Sequence, residues 1–199
     1  MKDTNSLSSN PLNKIDIHIT IIGKGVVGKT SITNRLINIE YPEQHDPTIE
    51  DKYNLVVNIN SKQINLEILD TAGEQDYQNL LYSWITNGDA FILVFAINDE
   101  ESFDYLLKKR DKIIEIKGNK NIPIILIGNK SDLNNEREVT IEEAEKISKL
   151  WKVDYVECSA KDNTNCNNII NLLYNKWNKY LKDCEKNDKD NIGCRCIIF

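Results

Sequence analysis

The chain has 199 residues, the size of one domain, with 25 Lys and Arg against 31 Asp and Glu and a formal net charge of −6. That balance excludes a general nucleic-acid binder, which needs an excess of basic side chains. The longest apolar run, 90–97, is too short to cross a bilayer and no apolar leader opens the chain, so the five cysteines (158, 166, 184, 194 and 196) read as reduced thiols rather than a disulfide framework.

In chain order, residues 1–13 are rich in Ser and Asn, carry Pro11, and read as a disordered arm. Residues 14–182 form one domain in which short β-branched runs (15–22, 53–59, 64–69, 90–97, 122–127 and 154–157) alternate with amphipathic helical patterns. Tyr77, Leu80, Leu81, Trp84 and Ile85 share one helical face; so do Phe103, Leu106, Leu107 and Ile114, and later Ile169, Ile170, Leu173, Trp177 and Leu181. Thr140 and Glu143 have the spacing of a capping box. Strands alternating with helices predict an α/β fold with a mostly parallel sheet of six strands and helices on both faces. The exception is the pair 53–59 and 64–69. Only Asn60-Ser61-Lys62-Gln63 separates them, too short for a parallel crossover, so they predict a hairpin whose first strand is an antiparallel edge. From 183 the periodicity stops, and 183–199 reads as a flexible tail.

Gly23-Lys24-Gly25-Val26-Val27-Gly28-Lys29-Thr30 has the form G-x-x-x-x-G-K-[ST], after a strand and before a helical stretch, which is the setting this phosphate-binding loop needs. Its glycines let backbone N–H groups close round phosphate oxygens at a helix N-terminus. Lys29 supplies a point charge for the β- and γ-phosphates, and the Thr30 hydroxyl is a hard oxygen ligand suited to Mg²⁺. The chain therefore reads as a P-loop NTPase.

Asn129-Lys130-Ser131-Asp132 selects the base. It follows the 122–127 strand, at the carboxyl edge of the sheet where ligands bind. The Asp132 carboxylate can accept from guanine N1–H and from the exocyclic amine, whereas adenine presents an acceptor there and leaves the carboxylate unpaired. With 26 Asn in the chain these four residues carry weight through their position, together with Cys158-Ser159-Ala160-Lys161 after the last strand. There the Ala160 N–H is placed for guanine O6 and Ser159 for bracing the loop. Asp70-Thr71-Ala72-Gly73 ends the 64–69 strand, where a carboxylate can hold Mg²⁺ through water and the Gly73 N–H can reach a γ-phosphate. Thr48, in a proline-preceded segment, can add a second hydroxyl ligand.

The ordered set 23–30, Asp46-Pro47-Thr48-Ile49-Glu50-Asp51, 70–73, 129–132 and 158–161 resembles the Ras family of small GTPases over residues 14–199. The absence of an insertion after Asp132 disfavours the Rho branch, and Lys2 in place of glycine disfavours the myristoylated Arf type. The resemblance implies a GTP/GDP-binding switch that hydrolyses GTP slowly with Mg²⁺. Thr30, Thr48 and Asp70 resemble the metal site, Tyr41 the aromatic that packs on guanine, and Lys29, Thr48, Gly73 and residue 74 the catalytic set. Segments near 43–53 and 70–86 resemble the two switches. His45, Asp46, Pro47, Thr48, Ile49, Glu50, Asp51, Lys52 and Tyr53 would dock effectors, with Glu50 and Asp51 favouring basic partners. Exchange factors, GTPase-activating proteins and effectors are the implied partners of a monomer that takes no nucleic acid.

Three departures stand out. Glu74 followed by Gln75 replaces the family's Gln after D-T-A-G, which orients the attacking water. Two readings follow: a GTPase in which Gln75 substitutes, and an effector-docking module with little or no hydrolysis. His45 replaces a usual Tyr, and Val26 fills a loop position that is often glycine. Finally, Cys196-Ile-Ile-Phe199 is a C-a-a-X box, and its Phe favours geranylgeranyl. A single prenyl chain anchors weakly, so a palmitoyl group on Cys194 is the expected second signal, placing the chain on the cytoplasmic face of the plasma membrane.

Overall fold

Six strands form one sheet: β1 (Ile15–Ile22), β2 (Glu50–Ile59), β3 (Lys62–Thr71), β4 (Ala90–Ala96), β5 (Ile124–Asn129) and β6 (Asp154–Glu157), in the order β2-β3-β1-β4-β5-β6. All neighbouring pairs are parallel except β2 with β3, the antiparallel edge read from the short connection. The computed structural model describes residues 15–38, 48, 50–73, 78–118 and 121–189. Tyr41, His45, Asp46, Pro47, Ile49, Glu74, Gln75, Cys194 and Cys196 lie outside the described residues.

Among the described residues five α-helices cover the sheet: α1 (Lys29–Leu36), α2 (Gln78–Asn87), α3 (Glu100–Lys117), α4 (Ile141–Trp151) and α5 (Ile169–Lys189). On one face Ile32 and Leu36 of α1 and Ile169, Ile170 and Leu173 of α5 pack with Ile17, Ile19, Ile21 and Val94. On the other face Ile85 of α2, Phe103, Leu106 and Ile113 of α3, and Ala144 and Trp151 of α4 pack with Ile22, Phe91, Leu93 and Leu126. Strands covered on both faces need no polar alternation, and every residue of β4 is buried.

Three expectations are corrected. The β2–β3 connection is not four residues but the pair Asn60-Ser61, with φ of 52° and 63°. A two-residue turn with both φ positive matches the twist of its strands, and Asn tolerates that region, so the strands zip up to Ile59 and Lys62. The predicted strand 122–127 is shifted to Ile124–Asn129, which places Asn129 at its last position. The flexible tail does not begin at 183, because α5 continues to Lys189. Cys184 is buried, three residues beyond Leu181, and so extends the apolar stripe by nearly one turn. The Thr140–Glu143 capping box is present, with Glu143 N–H donating to Thr140 Oγ1 at 3.2 Å.

Candidate functional site

The chain order reverses around β1: the next parallel partner lies on one side (β3) and the following one on the other (β4). The crevice beyond the carboxyl end of β1 is therefore a topological switch point. Residues 23–28 fill it and lead into α1. Two helix starts carry side-chain caps: Asp99 accepts from Ser102 N–H at α3, and Thr140 caps α4, each with two glutamates in the first turn. α1 has no side-chain cap and no acidic residue in its first turn, and its cap residue Gly28 sits at φ 93°. Its leading N–H groups are thus left for an anion from outside the helix. Gly28 is required twice over, because a Cβ there would meet strain from the left-handed backbone and overlap Asn129 Nδ2. Val26 also lies at positive φ, 66°, with its side chain 75% exposed, so the loop keeps its turn without the glycine.

Lys29 is buried, and its ammonium donates to Lys24 O at 3.0 Å. Burial pushes its pKa down from 10.5 to about 8, partly opposed by the nearby Asp70 carboxylate. Lys24 itself turns away from the loop to Glu101 at 2.7 Å and Asp99 at 3.4 Å.

Three oxygen-bearing side chains from three segments meet beside this lysine. Thr30 Oγ1 donates to Asp70 Oδ2 at 2.5 Å and lies 3.1 Å from Thr48 Oγ1. A hydroxyl has one proton, so with that of Thr30 given to Asp70, Thr48 must be the donor to Thr30. Both hydroxyls are hard ligands, and their 3.1 Å separation suits adjacent corners of an octahedron with ligands at about 2.0–2.1 Å. The single carboxylate leaves coordination positions for phosphate and water, so the donor set fits Mg²⁺. Gly73 closes the site from the β3 side: a Cβ on it would overlap the backbone of Lys24 and Gly25, so this loop already touches the phosphate loop.

The base-recognition segment is braced against the same loop. Asn129 is buried, and its Nδ2 donates to Val27 O at 2.9 Å. Lys130 takes φ 66° and starts the 3₁₀ turn that carries Asp132, an exposed carboxylate. Ser159 braces the facing loop as read from the sequence, donating to Asp132 Oδ1 at 2.7 Å and accepting from Asp162 N–H at 3.1 Å. The Ala160 N–H, expected at guanine O6, donates here to Asn129 Oδ1 at 3.1 Å, which fixes this loop against the 129–132 segment.

Arg35 is a site residue that the sequence reading missed. Its Nε donates to Ala160 O at 2.7 Å and its Nη2 to Lys161 O at 2.9 Å, so the last turn of α1 holds the base loop from beneath. Nothing in the local pattern marks it beyond a basic residue suited to a helix C-terminus. Arg35→Ala is expected to remove about 1–2 kcal/mol of stability. It should also weaken guanine-nucleotide binding severalfold, measured by thermal unfolding and calorimetry; unchanged binding would show that the loop holds itself.

An α/β domain with a P-loop, a donor set of two hydroxyls and a carboxylate beside it, and an exposed carboxylate after β5, all at the switch point of the sheet, has the architecture of a nucleotide-binding NTPase. A family model described as Ras family matches residues 18–179. Ras-like protein RAS2 of Hydra vulgaris is 34% identical over 185 residues, covering 91% of this chain and 95% of that protein. Ras-like protein 2 of Drosophila melanogaster is 37% identical over 155 residues (78% and 81%), and Ras-related protein Ral-a of the same organism 35% over 165 residues (82% of each). The chain belongs to the Ras family of small GTPases, which bind and hydrolyse GTP as switches.

Proposed function

We propose that this chain is a membrane-anchored GTP/GDP switch in signal transduction, binding Mg²⁺ with its nucleotide and hydrolysing GTP slowly on its own. What carries the reading is the meeting of Lys29, Thr30, Thr48 and Asp70, with Gly73 against the phosphate loop. Thr48 and Gly73 belong to the two segments that resemble switches, so a γ-phosphate at this point would tether both.

In the reaction, water attacks the γ-phosphorus in line with the bond to the β-phosphate bridging oxygen, giving GDP and inorganic phosphate. Lys29 and the N–H groups of residues 25–30 hold the β- and γ-phosphate oxygens as charge moves onto them. Thr30, Thr48 and Asp70 would hold Mg²⁺, which when bound supplies Lewis-acid stabilisation of that charge. Gly73 offers its N–H to a γ-oxygen. Glu74 can accept from the attacking water but has no N–H to give the phosphate, and it brings negative charge towards a polyanion; this is the ground for slow turnover. Phosphate release in a single turnover should accelerate in Glu74→Gln by roughly tenfold, the value of one regained charge-assisted hydrogen bond. Fast release by the unmodified protein would refute the slow reading. Release that neither Glu74→Gln nor a GTPase-activating protein can raise would favour the effector-docking module instead.

Exchange factors, GTPase-activating proteins and effectors follow as partners, effectors meeting 45–53 and the exposed Glu50, Asp51 and Lys52 at the start of β2. We assign geranylgeranyl to Cys196 and a palmitoyl group to Cys194, on the cytoplasmic face of the plasma membrane. Cys184 is buried and so offers no alternative acylation site. Cys196→Ser should move the protein from the membrane to the soluble fraction; unchanged fractionation would refute the anchor.

A further inference from the structure

Trp84 of α2 is 5% exposed and packs with Leu69 and Ala72, beside the loop that carries Gly73. Its backbone carbonyl accepts from Thr20 Oγ1 at 3.2 Å, so β1 fixes the helix at this turn. Its indole Nε1–H donates to Glu50 Oε2 at 2.8 Å. An indole N–H is a donor only, and once the ring is buried it needs a partner; here that partner is a carboxylate, which makes the bond charge-assisted. Glu50 is the first residue of β2 and stands two residues after Thr48. The same short segment is therefore held at both ends, by Thr30 through Thr48 and by α2 through Glu50.

We propose that Trp84 is a positioning residue for triphosphate recognition: its indole N–H latches Glu50 and thereby favours the arrangement with Thr48 at the metal site. This rests on the switch reading above. Withdrawal of Thr48 pulls Glu50 with it and leaves a buried N–H without its carboxylate, which opposes opening. The latch thus adds to whatever the γ-phosphate contributes through Thr48, and it contributes nothing to GDP, which makes no demand on Thr48. Phe keeps an aromatic ring at this position, at the cost of a small cavity, and loses the latch, while Glu50→Ala removes the same bond without touching the ring.

The test uses the full chain with Mg²⁺. Calorimetry gives the affinity ratio of a non-hydrolysable β,γ-imido GTP analogue to GDP for the unmodified protein, Trp84→Phe, Glu50→Ala, the double variant and Glu50→Gln. The ratio is expected to fall about ten- to a hundredfold in each of the first two variants, the range for one charge-assisted hydrogen bond. The double variant should fall no further than either single one, and Glu50→Gln, which keeps an acceptor oxygen, should stay within about threefold of the unmodified protein. In ¹⁵N–¹H spectra of the analogue-bound protein, the indole resonance that Trp84→Phe removes should shift in Glu50→Ala. If Trp84→Phe fails to fold, the affinity ratio of Glu50→Ala against Glu50→Gln decides. An unchanged ratio in a folded variant, additive losses in the double variant, or a resonance indifferent to Glu50 would each overturn the latch while leaving the switch reading intact. If neither guanine nucleotide binds the unmodified protein, the switch reading itself falls and the latch with it.

Discussion

Lys29→Met should lower the affinity for GTP and for GDP on the order of a thousandfold, while the nucleotide-free protein unfolds at the same temperature or higher. Two charge-assisted hydrogen bonds to phosphate, each contributing about 1.5–3 kcal/mol, set the size of the loss. The second half of the expectation comes from burial. The ammonium is held down to about 8 from 10.5, so keeping it charged in the folded chain costs about 3 kcal/mol at neutral pH. Met fills a similar volume without that penalty. The sign follows from the lowered pKa. Below about pH 8 folded and unfolded chains both carry the proton, and the penalty is constant. Between about 8 and 10.5 the unfolded chain binds the proton and the folded chain does not, so the stability attributable to Lys29 rises with pH over that interval. Binding runs the other way. A polyphosphate favours the charged lysine, so at pH 8 binding should take up about half a proton, and affinity should fall as pH rises further. Calorimetry at pH 8 in buffers of different ionisation enthalpy reads that uptake, and Lys29→Met should abolish it. Equal uptake in the variant would place the titrating group elsewhere.

What could be read along the chain was whatever a short stretch of sequence encodes by itself. The run of β4 is apolar throughout because both faces are covered, and it could be read directly. The glycines and hydroxyls of 23–30 also work as a local unit, and the structure places Lys29 and Thr30 together with Asp70 as their motifs imply. Boundaries were less legible. Asn60-Ser61 looked like the start of a four-residue loop because its two positive φ values appear only once the strands on either side are paired. Cys184 did not count as apolar in the helical pattern until its burial showed that it continues the stripe. Least legible were the contacts between distant segments. Arg35 and Ala160 are 125 residues apart, and the acceptor is a backbone carbonyl, which leaves no trace in side-chain pattern. The Ala160 N–H meets Asn129 Oδ1, and the two residues belong to different motifs whose contact neither motif announces.

That cross-bracing makes Asp132→Asn the sharpest probe of base choice. Asn129 ties the base segment to Val27 of the phosphate loop, and Ser159 ties the facing loop to Asp132. An Asn at 132 keeps an amide oxygen where Ser159 Oγ donates, so the loop should hold its place and stability should change by less than about 1 kcal/mol. Recognition should change far more. Guanine presents two donors, N1–H and the exocyclic amine, to a carboxylate that accepts both. An amide accepts one and turns its own N–H towards the other, so GTP affinity should drop on the order of a hundredfold, about 3 kcal/mol, with discrimination against ATP reduced to match. A purine with a carbonyl in place of the exocyclic amine supplies the acceptor that the amide lacks, so XTP should bind the variant more tightly than GTP does and the unmodified protein more weakly. Competition among GTP, XTP and ATP on both proteins measures all three. If GTP binds the variant as well as before and XTP gains nothing, Asp132 does not face the base, and the specificity assigned to 129–132 and 158–161 would have to come from another part of the crevice.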